Sequence, residues 1–561
     1  MNQHQPLLDR ALEVLRTREH WSPYPEDTEA YREQDAAAGE RAFRGLLRLP
    51  FDLDQPGTDG VVGPAPETGG ESSPYGFPLG ISYPHGDPDV LLPAMRAAMA
   101  GWQAATPLER AVVCAEILAR INARSHEFAH AAVHTSGHNP VMAFHAGAVH
   151  AQDRGLEAVA LGLAEQTRLP AAFRWHKPLP DGSVFSLAKT FSHVPLGVSL
   201  LITGAVFPTW NGYPGLFASL VTGNAVLVKP HPRAVLPLAL TVRIAREVLR
   251  ETGFSPDLVC LAAERPGERL ARRLALRPEV RIIDYTGNRE FGDWLTGHAR
   301  QAQVRVATSA VNSLLIESTA DYRGMLDNLA FTLALYSGQL CTSPQNLLIP
   351  RGGIDTDEGR KSYREVVADL GAALDALLAD DAGAAGVLGA LYAPSVVERV
   401  DKAGAGLLGE VLHPSRAVTH PRHPGAVIRT PVVVGLDPDR PEQAATLLTE
   451  HLGPVYFAVA VDSAEAGTAW LGRAAREAGA LSAGAWTTSA EVERALRETC
   501  ADCGVTLSLN LSGGWYLTQS AIYSDLHGTG LNPSGNTTYG DPSFVTGRFR
   551  TVAVRRLTDT R

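Results

Sequence analysis

The segment SGQLCTSPQN, residues 337–346, sets a single cysteine, Cys341, among small and polar residues. A cysteine thiolate is a strong nucleophile, and a cysteine that enters a helix has its thiolate stabilised by unpaired N–H groups. Gly338, just before it, permits a close approach of the backbone. Most unpaired cysteines are inert core residues, so only further motifs can distinguish a catalytic role from a packing role.

A second candidate centre is the H-E-x-x-H sequence of His126, Glu127 and His130, which His134 and His138 continue at four-residue spacing. On a helix these histidines lie along one face, which is the arrangement that a zinc ion needs. The glycine of the longer zinc motif is missing, and the segment is one of several amphipathic helices in series. We therefore predict a polar helix face and no metal site.

The remaining cysteines give little sign of chemistry. Five cysteines in 561 residues cannot form a disulfide framework, and the N-terminus MNQHQPLLDRALEVLRTREH has no apolar signal core. A reducing, cytoplasmic location is therefore expected. Cys500 and Cys503 form a single C-x-x-C motif. A closed zinc site built on this pair would need further ligands from distant parts of the chain. A structural thiol pair is the preferred interpretation.

The charge pattern excludes several classes of partner. The formal net charge is −10, and Lys and Arg are scattered rather than gathered into runs, so neither nucleic acid nor an anionic membrane surface is expected. The most apolar stretch, residues 194–210, is interrupted by Pro and Gly and is shorter than the roughly 20 apolar residues that cross a bilayer. A small-molecule partner is the expectation.

The order of the predicted elements indicates an α/β protein. Helical apolar spacing runs over residues 87–165, and four strand and helix units follow, with strands at VSLLITG, AVLVKP, LVCLAA and VRIIDYTG. This alternation predicts a parallel sheet that binds ligands at the carboxyl ends of its strands. A second α/β lobe, over about 312–506, carries Cys341, so we expect a cleft between two lobes. The terminal strand RFRTVAVRR is typical of one that pairs with another subunit.

Five motifs resemble, in the same order along the chain, landmarks of the aldehyde dehydrogenase superfamily. They are PLGV (195–198), GNAVLVKP (223–230), YTGNREFG (285–292), GQLC (338–341) and EHLGPV (450–455). The segments FPTWNGYPGLFASLVTGNAVLVKPHP, AQDRGLEAVA and LALYSGQLCTSPQNLLIPR, with the long N-terminal extension, are further similar to the phenylacetic acid degradation (PaaN) type. That resemblance implies oxidation of a ring-opened, CoA-linked semialdehyde with NADP.

The resemblance also implies a fold and its division along the chain. The expected fold is α/β and aldehyde-dehydrogenase-like, with a Rossmann-type cofactor domain, an α/β catalytic domain and a β oligomerisation arm. The implied segments are an N-terminal extension (1–85), an NAD(P)-binding domain (86–170 and 192–311), a catalytic domain (312–507), and the arm with the C-terminal tail (171–191 and 508–561). A homo-oligomer, a dimer or higher, is expected.

The implied chemistry is covalent. The Cys341 thiolate would attack an aldehyde, hydride would pass to the nicotinamide, and a thioester would remain for a second nucleophile. Lys229 would bind the cofactor ribose, Glu450 the nicotinamide ribose, and Gly287 would begin a helix directed at the diphosphate. The full implied cofactor-binding set is Thr203, Lys229, His231, Arg233, Gly287, Asn288, Gly292 and Glu450.

The sequence departs from the family pattern at the adenosine ribose. NAD-binding members often have a Glu three residues after the lysine, whereas this chain has Pro232. Without that carboxylate a 2′-phosphate is not repelled, and His231 or Arg233 could meet it. The sequence therefore predicts NADP in preference to NAD, with NAD still open.

Two more departures affect the chemistry directly. The Asn that supplies an oxyanion-stabilising amide in most of the family is replaced by Val206, which leaves the Cys341 N–H as the surest donor. Thr203, Thr209 and Asn211 are further candidate donors, and Asn211 is expected to point elsewhere. The usual general-base Glu is replaced by Ala307, whose methyl group cannot accept a proton.

Two interpretations follow for the thioester. One is NAD(P)-dependent oxidation of an aldehyde or CoA-linked semialdehyde at Cys341, through an atypical site that lacks the usual base and oxyanion amide. The alternative is a CoA-acylating or non-redox protein repurposed from this fold, because a thiol nucleophile needs less help from a base than water does. The loops at 150–154, 456–457 and 508–523 are expected to shape the substrate pocket.

Overall fold

The computed structural model describes residues 2–31, 36–514 and 522–558. Its first sheet has five parallel strands, in the order Gln303–Ala307, Val280–Thr286, Val198–Ile202, Ala225–Lys229 and Val259–Leu261. The central strands carry unbroken apolar runs because helices cover both faces of a parallel sheet. This confirms the predicted parallel sheet and places its carboxyl edge near residues 202, 229, 286 and 307.

The second sheet has seven strands and contains the segment that follows Cys341. Its order is Glu410–His413, Val432–Leu436, Val455–Val461, Pro344–Pro350, Asn312–Ile316, Ser482–Trp486 and Thr506–Leu509. The first pair is antiparallel and the others are parallel. The last strand continues beyond residue 507, the predicted end of this segment.

A three-stranded antiparallel sheet combines two distant segments. Phe549–Leu557 pairs with Val184–Pro195, which pairs in turn with Ala172–Pro178. The predicted terminal strand is therefore present, but its observed partner is a strand of the same chain. Val184–Pro195 also runs past residue 191, the predicted end of the arm. Large apolar side chains of this sheet are exposed: Phe173, Val184, Phe185, Val552, Val554 and Leu557.

The helices surround these sheets. Those before the second sheet are Gln5–Thr17, Ala36–Arg44, Pro88–Ala104, Pro107–Asn122, Ser125–Ser136, Pro140–Phe144, His150–Thr167, Pro208–Val221, Leu236–Glu251, Leu270–Ala275 and Arg289–His298. Those that follow are Tyr322–Ala334, Tyr363–Leu377, Asp381–Val387, Pro394–Gly404, Pro441–Leu447, Ala464–Glu477, Ala490–Cys503 and Pro542–Thr546. In the described part of the chain none is long and apolar enough to cross a membrane.

The N-terminal extension packs against the first lobe. Leu8, Ala11 and Val14 of its first helix are fully buried in the same core cluster as the first sheet. The Gln55 side chain pairs with the backbone of Leu261, donating to its carbonyl at 3.0 Å and accepting from its N–H at 2.9 Å. An edge strand with open backbone groups is thereby capped.

Some of the sequence motifs fix backbone geometry. The Asn224 side chain of the GNAVLVKP motif accepts a hydrogen bond from the Gly197 N–H of PLGV at 3.1 Å. Asn224 also donates to the Arg548 carbonyl at 3.1 Å, which ties the C-terminal tail to the first sheet. Arg548 itself makes a buried, two-pronged salt bridge to Asp284, with both contacts at 2.7 Å. Such paired hydrogen bonds restrain geometry more firmly than a single contact.

Candidate active site

Cys341 lies in a turn between the helix that ends at residue 334 and the strand Pro344–Pro350. It does not enter a helix, so the expected helix-terminus stabilisation of its thiolate is wrong. The backbone N–H groups of Cys341 and Thr342 hydrogen-bond to the sulfur and lower its pKa. Burial and the Glu450 carboxylate outweigh them and raise the pKa of the Cys341 thiol to about 12.

The chain reaches Cys341 through three consecutive left-handed residues. Tyr336, Ser337 and Gly338 have φ of 50°, 53° and 63°, a conformation that costs non-glycine residues free energy. A Cβ on Gly338 would lie 2.2 Å from the Tyr456 hydroxyl and 2.7 Å from the Gly453 carbonyl. Glycine is therefore required here, and the strain is held by the surrounding packing.

Two polar side chains anchor the turn. Gln339 donates to the Ala390 carbonyl at 3.1 Å and accepts from the Tyr392 N–H at 3.0 Å. Asn312 donates to the carbonyls of Cys341 and Ser343, both at 2.9 Å. A buried amide that meets several backbone groups can hold a loop in one position. These contacts explain why a Gln precedes the cysteine and why an Asn opens the neighbouring strand.

A cavity of about 450 Å³ opens at the carboxyl edge of the first sheet and reaches Cys341. We call it the sheet-edge cavity. Its wall includes many of the predicted cofactor residues: Thr203, Lys229, His231, Gly287, Asn288 and Glu450. Val206 and Ala307 also line it. The structure thus brings these positions together at the edge where a parallel sheet binds ligands.

The lysine of this cavity is paired with a carboxylate that the sequence did not reveal. Lys229 Nζ forms an ion pair with Glu264, which follows the neighbouring strand Val259–Leu261. Glu264 also accepts a hydrogen bond from the Leu270 N–H at 2.7 Å. Next to this pair, His231 is half-buried, and the loss of hydration, with the charge of Lys229, lowers its pKa to about 4. A negative charge therefore stands beside Lys229 although Pro232 replaces the usual Glu.

Another residue of the cavity has unused hydrogen-bonding capacity. The Thr203 hydroxyl is buried and makes no hydrogen bond within the described part of the chain. A buried polar group without a partner carries a free-energy cost that a ligand can remove. Glu450 accepts from the Ala310 N–H at 3.1 Å, and burial raises the pKa of its carboxyl.

Some predicted cofactor residues have other roles. The helix begins at Arg289 rather than at Gly287, and the Asn288 side chain caps it by accepting from the Phe291 N–H at 2.9 Å. Gly292 is absent from the cavity wall, and a Cβ there would lie 2.7 Å from Thr308. Arg233 is exposed and also lies outside the wall.

The oxyanion position differs from the expectation. Asn211 borders the sheet-edge cavity together with Cys341, so the prediction that it points elsewhere is wrong. Asn211 lies in the first turn of the helix that starts at Pro208, and its N–H donates to the Phe207 carbonyl at 3.0 Å. Thr209 is unsuitable as a helper because its hydroxyl donates to the Gly147 carbonyl at 2.8 Å. At Val206 the backbone carbonyl is bound by His138 Nε2 at 2.6 Å.

Ala307 ends a strand of the first sheet, where it lines the sheet-edge cavity. Its carbonyl accepts from the Gly287 N–H at 3.2 Å, and an isolated bridge joins it to Gly535. Thr308 and Ser309 line the cavity beside it, and hydroxyl groups are poor bases. The C-terminal tail therefore packs against the position where the family's base is expected.

That tail brings a histidine to the cysteine. His527 Nε2 lies 3.9 Å from Cys341 Sγ. The imidazole is stacked on Tyr539, with ring planes 19° apart, and meets Trp210 edge to face. Burial and the Arg154 guanidinium lower the pKa of His527 to about 3. The side chain is therefore a neutral imidazole at neutral pH, and the sequence contained no motif that marked it.

A second cavity, of about 440 Å³, meets the first at Cys341 and Phe207. We call it the apolar cavity. The apolar side chains on its wall are Val141, Met142, Ala146, Phe207, Trp210, Phe331, Leu335, Leu340 and Val387. In the described part of the chain none of its lining residues is Lys or Arg. His150 and Gly514, from the predicted pocket loops, line it, whereas residues 515–521 of the loop at 508–523 lie outside the described residues.

Three polar residues of the apolar cavity form a cluster. Glu26 of the N-terminal extension meets His150 Nε2 at 2.6 Å, and His145 offers a third ligand atom within 4.8 Å of the others. His145 begins a π-helical turn, residues 145–149, which places residues five apart on one face and so brings its ring to 5.5 Å from that of His150. The extension thus contributes directly to this cavity.

The family model for the aldehyde dehydrogenase family matches residues 86–509. The chain belongs to the aldehyde dehydrogenase family. The crystal structure of an NAD-dependent aldehyde dehydrogenase from Burkholderia multivorans is 44% identical, covers 99% of this chain and 98% of its own, and superposes with a TM-score of 0.95. These matches confirm the predicted fold and the predicted membership of an oxidoreductase family.

Curated relatives of this chain are more distant. Fluoroacetaldehyde dehydrogenase of Streptantibioticus cattleyicolor is 27% identical over 48% of this chain and 51% of its own length. Vanillin dehydrogenase of Pseudomonas fluorescens is 24% identical over 56% of this chain and 61% of its own. The matches therefore span less than two thirds of the length of these relatives.

The histidines of the H-E-x-x-H motif pack inside the protein. His126 contacts Phe144, His130 and His134 stack on Phe43, and Glu127 pairs with Arg124. Among the described residues, the group spaced to hold a metal ion is the one at Glu26, not this motif. The prediction of a polar helix face is wrong in one respect, because most of these side chains are buried against aromatic rings.

The C-x-x-C pair is buried in the second lobe. Both Cys500 and Cys503 are free thiols in its core cluster. Cys503 Sγ accepts from the Arg476 guanidinium at 3.0 Å and donates to the Gly472 carbonyl at 3.6 Å. Buried, hydrogen-bonded thiols of this kind behave as small core residues, which agrees with the structural interpretation.

Proposed function

We propose that this protein oxidises aldehydes with a nicotinamide dinucleotide, through a covalent intermediate on Cys341. The observation that carries the proposal is the position of Cys341 where the sheet-edge cavity meets the apolar cavity. A nucleophile there can face a cofactor on one side and a substrate on the other. The 44% identity to an NAD-dependent aldehyde dehydrogenase over nearly the whole chain supports the same reaction.

The residues of the sheet-edge cavity fit a dinucleotide. Lys229 and the unpaired Thr203 hydroxyl offer donors, Glu450 offers a carboxylate for ribose hydroxyls, and the Gly287 backbone leaves room. When bound, the nicotinamide would accept the hydride. Arg233 and Gly292 are left out of this proposed set because neither borders the cavity.

The NADP preference expected from Pro232 is weakened by Glu264. A 2′-phosphate next to Lys229 would meet the Glu264 carboxylate as well, and like charges at this range repel. The same carboxylate can accept hydrogen bonds from ribose hydroxyls. We therefore propose NAD as the better cofactor, with NADP use as the property to be measured beside it.

The protein groups around Cys341 affect two further steps, the deprotonation of the thiol and the stabilisation of the oxyanion. The thiol must lose its proton to attack, and its pKa of about 12 leaves only a small fraction as thiolate at neutral pH, a fraction that a positive charge in the site would increase. The oxyanion that forms on attack can be met by the Cys341 N–H and by the Asn211 amide. Asn211 thus replaces, from the next helical turn, the amide that Val206 lacks.

The apolar cavity favours an uncharged substrate. Among the described residues its wall has no Lys or Arg to pair with an anion, and an unpaired carboxylate in an apolar site is strongly disfavoured. Aliphatic or aromatic aldehydes fit this wall. A CoA-linked semialdehyde, as the resemblance to the phenylacetic acid degradation type implies, is compatible if its charged part stays outside the cavity.

A second candidate function is acyl transfer from the Cys341 thioester to coenzyme A. Ala307 favours it, because a methyl group at the position of the usual base gives water no assistance. A thiol at neutral pH is a better nucleophile and needs less help. The two functions share the oxidation step and differ only in what removes the acyl group.

We also propose that the antiparallel arm makes this protein a homo-oligomer. Its exposed apolar side chains, including Phe173, Val552 and Val554, form a surface that monomeric proteins rarely leave open. Each outer strand of the arm also has one edge that pairs with no other strand of the described residues. Sedimentation analysis of wild type and Val554→Asp would test this assignment.

The proposed oxidation is tested by mixing pure protein with NAD or NADP and a panel of aldehydes, then measuring reduced nicotinamide. Uncharged aldehydes such as hexanal and phenylacetaldehyde should be oxidised faster than succinic semialdehyde, with acid released in water or acyl-CoA in the presence of coenzyme A. Absence of reduced nicotinamide with every aldehyde and both cofactors would overturn the proposal.

A further inference from the structure

We propose that His527 is the general base that releases the acyl group from Cys341, in the role that Ala307 cannot fill. The inference rests on the proposed covalent function of Cys341 and adds the residue that completes it. Two observations support it independently: the 3.9 Å separation of His527 Nε2 from Cys341 Sγ, and the position of His527 on the wall of the apolar cavity. The acyl group would lie in that cavity.

The geometry leaves room for a water molecule. A base must reach the nucleophile's proton directly or through one water. Nε2 is too far from the sulfur for a strong hydrogen bond, and an acyl carbon attached to Sγ would stand on the cavity side. Water between Nε2 and that carbon could donate to the imidazole and attack the carbonyl.

The surroundings of His527 hold the ring in place. Tyr539 covers one face at a centroid distance of 5.6 Å, and Trp210 approaches edge to face at 4.7 Å. The backbones of His527 and Tyr539 are paired, with both N–H groups donating to the partner's carbonyl, at 3.3 and 3.0 Å. A catalytic group held this firmly loses little entropy when it acts.

The groups around His527 keep its imidazole neutral, so that Nε2 can accept a proton. The groups around it are the Cys341 thiol, the Tyr539 ring and the Arg154 guanidinium, and the Glu450 carboxylate acts in turn on Cys341. Burial and Arg154 hold the imidazole neutral. The negative charge that develops on the attacked carbonyl oxygen would then favour protonation of the ring.

The step balances without any additional reactant. Water adds to the thioester carbonyl carbon while Nε2 takes one of its protons. The C–S bond then breaks, the carboxylic acid leaves, and the sulfur departs as thiolate. The imidazolium returns its proton to Cys341, which restores the thiol and the neutral base.

The test uses p-nitrophenyl acetate, which can acylate a thiol without any redox step. Wild type should give a burst of nitrophenolate followed by steady turnover. His527→Gln should keep the burst but lose about 10²-fold or more in the steady rate, while hydroxylamine, which needs no base, should restore it. Intact-protein mass spectrometry should show the acetyl group accumulating on Cys341.

Two controls separate catalysis from packing. His527→Phe keeps a ring between Trp210 and Tyr539 and should show the same loss. His134→Gln removes another buried imidazole, with its pKa also lowered to about 3, and should leave the steady rate unchanged. An unchanged steady rate in His527→Gln, a lost burst in that variant, or no acylation of wild type would each overturn the inference.

The same assay separates this inference from the proposed oxidation. A wild type that hydrolyses the ester with the His527 dependence above, yet reduces neither cofactor with any aldehyde, would support the base and contradict the oxidoreductase proposal. A wild type that oxidises aldehydes while His527→Gln releases acid at the normal rate would support the oxidoreductase proposal and contradict the role of His527 as base.

Discussion

His527 Nε2 lies 3.9 Å from Cys341 Sγ although 186 residues separate the two in the chain. The contact forms because the C-terminal tail returns across the carboxyl edge of the first sheet, where it also packs against Ala307. The position that lacks the family's base and the residue proposed to replace it are therefore brought together by the same tail.

Replacing the nucleophile should abolish the chemistry. Cys341→Ala is expected to lower aldehyde turnover by about 10³-fold or more, because among the described residues no other thiol lines the sheet-edge cavity. Cofactor binding, measured by calorimetry, should be retained. Cys503→Ala, which removes a buried thiol in the second lobe, serves as the control, and equal activity of the two variants would contradict the assignment.

Gly338→Ala should both destabilise the protein and reduce its activity. A Cβ there meets the Tyr456 hydroxyl at 2.2 Å and the Gly453 carbonyl at 2.7 Å, at φ of 63°. The expected loss is about 1–3 kcal/mol in the free energy of unfolding, with a displaced Cys341. Gly182→Ala has a similar φ, 84°, in open space, so a urea titration showing equal losses would refute the clash.

Asn211→Ala should lower kcat by about 10²-fold with little change in KM, since the lost amide would act on the developing oxyanion. Thr209→Val provides the comparison. The Thr209 hydroxyl donates to the Gly147 carbonyl, so that variant should lose thermal stability but keep its kcat. Steady-state kinetics in which Asn211→Ala keeps full kcat would leave the Cys341 N–H as the sole proposed donor.

Glu264→Gln should shift cofactor use towards NADP. Removing the carboxylate that pairs with Lys229 relieves repulsion of a 2′-phosphate and frees the lysine to meet it. We expect the ratio of kcat/KM for NADP to that for NAD to rise about tenfold or more. Glu465→Gln, at a surface helix, should leave the ratio unchanged, and an unchanged ratio in Glu264→Gln would refute the proposed role.

Stability should fall in mild acid partly through His134. Burial lowers the pKa of this histidine from 6.5 to about 3, so between these values the unfolded chain binds more protons than the folded one. The free energy of unfolding therefore decreases as pH falls below about 6.5, by up to about 1.4 kcal/mol per pH unit for this group. His134→Gln should show a shallower decline in urea titrations between pH 6.5 and 4, and an identical slope would contradict this.

The parallel sheets and the need for a glycine at residue 338 were predictable because their signals are local, whereas the turn at Cys341 was not, since a helix entry was expected there. Strands such as Val198–Ile202 are continuous apolar runs, and GQLC combines a residue that must be glycine with an anchoring amide. Glu264 and His527 were not predictable, since each acts through a contact between segments far apart in sequence. Asn211 was misjudged because the start of its helix, at Pro208, decides which face it occupies.

The H-E-x-x-H motif is a local pattern that suggests a zinc site where the structure has a packed helix face. His126, His130 and His134 share a helix face, as a zinc site would require, but that face is packed against aromatic rings such as Phe43. Spacing alone does not distinguish a ligand set from a buried face. The distinction depends on Phe43 of the N-terminal extension, which lies far from the motif in sequence.

Covalent aldehyde oxidation at Cys341 is tested most directly by a single turnover of the His527→Gln variant with NAD and an excess of hexanal. About one equivalent of reduced nicotinamide per active site is expected, together with a hexanoyl group on Cys341 in the intact-protein mass spectrum. Hydroxylamine should then restart turnover. If neither the variant nor wild type gave reduced nicotinamide or an adduct on Cys341, covalent aldehyde oxidation at this residue would be contradicted.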